Sequence, residues 1–273
     1  AANLRAGVAA ARALRAYTTL PVPDVLGFDA GDEDRPPAVA LTYCPGAPLA
    51  SGFDDTENLA DPARVSLLGA VVAALDAPPA DAATGYGTIQ RVDANDDGPH
   101  LAADFDHFDE WLVDYTTRHF ENPSPHPALE RVAPDALAYL QAERHRLPAN
   151  PSPSVVLTDL SPGNLLAPDG RPPATVDGLT GVVDLERAKL GPVRFTAANL
   201  EYLLARELED RTVVQDALYD HLPFGPSFAL RKLYRLAAVS RAVSGLSTWE
   251  DPGSDAFDRR ASAVARELEA IVD

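Results

Sequence analysis

A chain of 273 residues with 46% hydrophobic content can bury a substantial core, in one large domain or two modest ones. Its formal net charge of −18, from 41 acidic and 23 basic residues, argues against sequence-independent binding to nucleic acid phosphates. The longest apolar run, "LLGAVVAAL" at 67–75, is too short to cross a bilayer, and the lone Cys44 excludes an internal disulfide or a cysteine-held zinc ion.

Residues 3 to 17 read as a helix, with Leu4, Val8, Ala11 and Leu14 at helical spacing. Arg5, Arg12 and Arg15 are spread through it, which contradicts the charged-then-apolar order of a secretory signal and leads to the expectation of a cytoplasmic protein. "LPVP" stops the helix. "DVLGF" and "AVALTY" follow as an expected antiparallel strand pair, and "CPGAPL" then breaks regular structure as a hinge. A second helix is expected from Pro62, with Asp61 as N-cap and Val65, Leu68, Val72 and Leu75 on one face. "APPADAATGYGTI" reads as a loop, followed by an acidic stretch. Two more helices come next, the later one starting at about Pro134, before the short strands "SVVLTD", "NLLA" and "TGVVD". From Val193 to Val272 the pattern is helical, interrupted by "LPFGPS" and "WEDPGS". The fold class is therefore α+β, with a small mixed segment at 1–48 leading through the hinge into a mostly helical part at 49–273 that carries one small β cluster.

Lysine occurs only at 189 and 232, so arginine supplies nearly all the positive charge while Asp clusters dot the loops. Such a surface is expected of a halophilic protein, whose carboxylates stay hydrated where screening is strong; the rival reading is an acidic cleft for a cationic substrate. Met is absent, even at position 1, which leads to the expectation of a processed or trimmed chain.

Two apolar runs end in an acid, "VVLTD" at Asp159 and "GVVD" at Asp184, and Asn164 closes the "SPG" turn between them. A strand that delivers a carboxylate at its end holds it at a loop mouth, and a loop this short can fold Asn164 back towards it. Three oxygen donors then converge, a set that suits a hard cation such as Mg²⁺ with phosphates and water completing its shell. The plainer alternative is that Asp159 and Asn164 cap the turn while Asp184 caps a helix in "LERAKL".

"TDLSPGNLL" followed by "GVVDLERAKLGP" resembles the catalytic signature of the aminoglycoside phosphotransferase and choline kinase-like family, with its H-G-D-x-x-x-x-N, I-D-W-E and Gly-Asp-Pro motifs. "LPVPDVLGF", "ALTYCPGAPL" and "GYGTI" resemble further segments of that family, so the likeness runs along nearly the entire chain. The resemblance implies a protein kinase-like two-lobed fold with a partial N-lobe at 1–48 and a helical C-lobe at 49–273. It also implies an ATP-dependent phosphotransferase (or one using another nucleoside triphosphate) acting on an alcohol group of a small molecule. Asp159 would then take the acceptor proton, Asn164 and Asp184 would hold Mg²⁺, and Glu186 would stand behind them. The hinge backbone at Leu41, Thr42, Tyr43 and Cys44 would face the adenine ring.

The chain departs from this pattern at several places. Leu157 stands where the family has a His, Pro192 follows Gly191 without the expected Asp, and the Asp that supports the catalytic loop falls near Thr196. The first-helix Glu that pairs with the strand lysine falls at about Ala10, and neither Lys189 nor Lys232 has the setting of that lysine. The glycine-rich hairpin is expected upstream of Ala1. A catalytically impaired kinase-like binding module is the alternative reading, and a metal-dependent phosphohydrolase a third, although the six His residues show no paired ligand spacing.

Overall fold

Small side chains let the first helix, α1 (Ala2–Tyr17), pack closely: Ala9, Ala10, Ala13 and Leu14 are fully buried, while Arg5, Arg12 and Arg15 stay outside. The computed structural model describes residues 2–32, 34–50, 61–78, 80–95, 98–206, 208, 210–227 and 230–273. Thr18 ends α1 by returning its amide and hydroxyl to the Leu14 carbonyl, and the prolines at 21 and 23 forbid its continuation. Strands β1 (Val25–Asp29) and β2 (Ala38–Leu41) form the expected antiparallel pair, from Val25 opposite Leu41 to Asp29 opposite Ala38. β3 (Ala47–Pro48) follows Gly46, whose φ of 112° and close approach to the Ala167 carbonyl exclude any side chain.

The expected second helix is α2 (Pro62–Leu75). Asp61 caps it by accepting from the amides of Ala63 at 2.8 Å and Arg64 at 3.1 Å, and Val65, Leu68, Val72 and Leu75 are fully buried.

The segment expected to be a loop and an acidic stretch is folded instead into β4 (Ala83–Thr84) and a long hairpin of β5 (Tyr86–Asn95) and β6 (Gly98–Phe105). Tyr86, Ile89 and Leu101 are the only large apolar residues buried among the described hairpin residues, so no alternating apolar face announces the strands. Ladder pairing and packing against α1 hold them, and the Tyr17 hydroxyl donates to the Pro99 carbonyl at 2.9 Å. With β7 (Ser154–Val156) and β10 (Lys189–Gly191) they make a five-stranded sheet in the order β4-β6-β5-β10-β7, antiparallel except for β4 beside β6. A three-stranded sheet joins β3 to β8 (Leu165–Ala167) and β9 (Gly181–Val182). Helix α5 (Val193–Ala205) is buried at every residue but Arg194 and Leu203, and α6 (Thr212–Tyr219) ties to it where Gln215 and Tyr219 both donate to Glu201 at 2.9 Å.

These elements belong to one compact unit, residues Ala1–Asp106 with Asn150–Pro226, which contains the whole 1–48 segment; His107–Ala149 with Ser227–Asp273 make a second. The second holds α3 (Phe108–Glu121), α4 (Pro127–Glu143), α7 (Arg231–Trp249) and α8 (Asp255–Val272) around Phe108, whose ring lies 5.7 Å from Trp111 and 5.8 Å from Tyr234. α4 begins at Pro127 and not near Pro134, which sits inside it. The buried stripe of Leu129, Val132, Ala133, Ala136 and Leu140 straddles Pro134, so packing outweighs the single backbone bond that proline removes. Among the described residues, no helix is long and apolar enough to cross a membrane.

Candidate active site

β7 is wholly buried and the chain leaves it through Leu157 and Thr158, also buried, to reach Asp159, whose side chain is 23% exposed. Pro162, Gly163 and Asn164 then make one tight 3₁₀ turn, fixed by the Asn164 amide bonding the Ser161 carbonyl at 3.0 Å. The turn sends Asn164 back over the loop. Its side-chain amide donates to the Asp159 carbonyl at 2.8 Å and lies 3.5 Å from Asp184 Oδ2. Asn164 thus lies between the Asp159 backbone and the Asp184 carboxylate.

Asp184 is held differently. The β8–β9 pairing and a bond from the Val183 amide to the Asn164 carbonyl at 2.9 Å bring the two loops side by side. Asp184 itself has φ 61°, a left-handed conformation that costs a non-glycine residue about 1–2 kcal/mol. The chain then runs through a turn into β10, so Asp184 caps no helix and the "LERAKL" alternative falls. With the Asn164 amide nitrogen spoken for, its carbonyl oxygen and the exposed Asp184 carboxylate are the atoms left to face a cation. This all-oxygen pair suits Mg²⁺, which takes one or two protein ligands and completes its shell with phosphate and water. No cluster of three or more His, Cys, Asp or Glu side chains suited to a metal is found among the described residues.

Asp184 and Glu186 also line a cavity of about 360 Å³ that includes Leu41, Thr42, Tyr43 and Cys44, along with Leu4, Gly7, Val8 and Ala11 of α1. The wall is mostly apolar, and no cation lines it among the described residues. Thr42 is committed elsewhere, its amide to the Asp24 carbonyl at 2.9 Å and its hydroxyl accepting from the Asp24 amide at 2.7 Å. Tyr43, which also lines the cavity, is 85% exposed. Burial, helped by the nearby Asp24 carboxylate, pushes the Cys44 thiol above its ordinary pKa, so Cys44 is a neutral wall residue. α1 is pressed onto this wall: a Cβ on Gly7 would lie 2.9 Å from Glu186 Cα.

Three residues at the site escaped the sequence reading. Arg187 Nε lies 3.3 Å from Asp159 Oδ2 and engages the carboxylate from the side. Asn199, on α5, donates to the Thr158 carbonyl at 2.8 Å. Gly7 sets the approach of α1. Thr196, the residue near which the resemblance places a loop-supporting Asp, gives the loop no hydrogen bond: its hydroxyl is fully buried with no partner among the described residues. Leu157, in the place of a His, is 5% exposed and contributes shape alone. Arg187 stands three residues beyond Asp184 and Asn199 one helical turn beyond Thr196, and those spacings were the available signals.

A profile of the phosphotransferase enzyme family, APH, matches residues 1–227. Comparison with curated proteins gives no match. Among solved structures, a thermostable mutant of aminoglycoside phosphotransferase APH(4)-Ia in its apo form is 18% identical with a TM-score of 0.67, covering 97% of this chain and 83% of that one. A ternary complex of such a mutant with AMP-PNP and hygromycin B gives 0.65 at 18% identity, covering 97% and 82%. The GDP complex of aminoglycoside 2'-phosphotransferase-IIIa gives 0.59 at 15% identity, covering 98% and 82%. The fold is thus that of the aminoglycoside kinases, a protein kinase-like fold of mixed helix and strand.

Proposed function

Because this chain belongs to the phosphotransferase enzyme family, we propose that it transfers the γ-phosphoryl group of ATP to a hydroxyl of a small molecule. The Asn164 side chain between the Asp159 backbone and the Asp184 carboxylate carries the reading, with Asp184 also lining the cavity that includes the hinge residues. The acceptor oxygen attacks the γ-phosphorus, the bond from that phosphorus to the β–γ bridging oxygen breaks, and ADP leaves. Asp159 takes the hydroxyl proton, with Arg187 Nε 3.3 Å from its Oδ2. Asn164 and Asp184 would hold Mg²⁺, which neutralises phosphate charge when bound, and Glu186 stands beside them on the cavity wall. The Tyr43 and Cys44 backbone meets the base, since the Thr42 amide is already bonded. Little covalent work is asked of the protein, because alignment and charge neutralisation supply most of the acceleration.

Hygromycin B in a structural neighbour makes aminoglycosides the first acceptors to try. Transfer from labelled ATP should be measured across a panel of hydroxylated amines and sugars, with Asp159→Asn beside the native protein. Label on one acceptor, lost in the variant, is the expected result; equal transfer by both removes Asp159 from its role. A second reading, a nucleotide-binding module without transfer, is favoured by the lack of any cation on the described cavity wall. That reading predicts Mg²⁺-dependent stabilisation by nucleotide with no label on any acceptor.

A further inference from the structure

Asn164 and Asn199 both donate to backbone carbonyls of the Asp159 loop, and of the two the Asn199 bond is the buried one. Leu157 is apolar and cannot donate, and the neighbouring Thr158 carbonyl points into α5 where water does not reach: Thr158 and Asn199 are each 2% exposed. Asn199 Nδ2 meets that carbonyl at 2.8 Å. One turn earlier on the same helix, the buried Thr196 hydroxyl bonds nothing among the described residues. A side chain at i+3 shares a helix face with residue i, so of the two polar residues on this face Asn199 is the one that reaches the loop. α5 is itself immobilised by burial along its length and by the Glu201 bonds to α6.

From this geometry we infer that Asn199 is a positioning residue for the proton acceptor, setting the height of Asp159 through the Thr158 carbonyl. The inference rests on the phosphotransferase reading of Asp159. A buried carbonyl that loses its donor must be satisfied some other way, and the loop is the part free to move. A misplacement of the reacting groups by about 1 Å costs roughly 100-fold in rate, whereas nucleotide binding through the hinge and Asp184 does not use this bond.

Two variants test it. Asn199→Ala removes the donor, and Asn199→Asp keeps the size while replacing the donor amide by a carboxyl that donates only when protonated. Hydrogen exchange in peptides spanning 157–164 should quicken in both at neutral pH, with exchange in the β5–β6 hairpin unchanged. kcat should fall about 10- to 100-fold, while KM for ATP stays within about threefold. In Asn199→Asp, kcat relative to the native protein should recover as pH falls from about 8 to about 5.5, since burial raises a carboxyl pKa and the protonated form can again donate. Unchanged exchange in 157–164 overturns the brace, and unchanged kcat or a parallel change in KM overturns the positioning role. If the native protein transfers phosphate to no acceptor, the phosphotransferase reading fails on its own account, and the exchange measurement still decides whether Asn199 holds the loop.

Discussion

The two loops that carry the candidate site, 157–164 and 183–187, sit side by side and are built on opposite plans. The first is embedded: Leu157, Thr158 and Leu160 are buried, and the side-chain amides of Asn164 and Asn199 bond its backbone carbonyls from two sides. The second is exposed at Asp184, Glu186 and Arg187, holds Asp184 in a left-handed conformation, and is steadied by the face of α1 pressed against it at Gly7. A proton acceptor needs a fixed height above its partner, which a core-braced loop provides. A cation ligand needs access to solvent and phosphate, which an exposed and strained loop allows at some cost in stability.

Substitutions should separate the two plans. Asp159→Asn in the braced loop should lower kcat by about 10²- to 10⁴-fold with little change in thermal stability, read from transfer rate and melting curve on the same sample. Gly7→Ala acts on the other loop from across α1. The added Cβ would lie 2.9 Å from Glu186 Cα, so it should destabilise the protein by about 1–3 kcal/mol and weaken nucleotide binding, measured by urea unfolding and calorimetry. Asp184→Gly should do the reverse to stability, adding about 1 kcal/mol by removing the left-handed penalty while abolishing Mg²⁺-dependent nucleotide binding. A loss of stability there would mean that the φ of 61° is relaxed by contacts not yet recognised.

The smaller effects sharpen the picture. Arg187 is half exposed, so Arg187→Gln should change stability by less than about 1 kcal/mol while lowering kcat several-fold; a stability loss without a rate effect would make the pair a mere surface contact. Cys44 has its pKa raised, so less of it is thiolate at a given pH than in a free cysteine. Its alkylation should be slow near neutrality and still climb in alkaline buffer, and Mg²⁺ with AMP-PNP should slow it further if the nucleotide fills the cavity.

Much of this was legible in the residues themselves. Asp159, Asn164 and Asp184 stood out because apolar runs ended in acids around a Pro-Gly turn, and the Asp61 cap and its buried stripe followed from local rules. The hairpin at 86–105 was not legible, since its strands are stabilised by ladder pairs and by α1, neither of which leaves a local pattern. The start of α4 was misplaced because Pro134 looks like a beginning, and only its neighbours' burial reveals that it is interior. Asn199 and Arg187 act on partners far away in sequence or across a turn, so their roles needed the packed structure.

The central claim is that Asn164 and Asp184, from the two unlike loops, serve one cation and nucleotide. Calorimetric binding of AMP-PNP with Mg²⁺ to the native protein, Asn164→Ala, Asp184→Ala and the double variant tests it as a cycle. The account predicts that each single variant loses the Mg²⁺-dependent part of the affinity and that the double is no weaker than the weaker single. Binding that survives in both single variants, or losses that simply add, would contradict it.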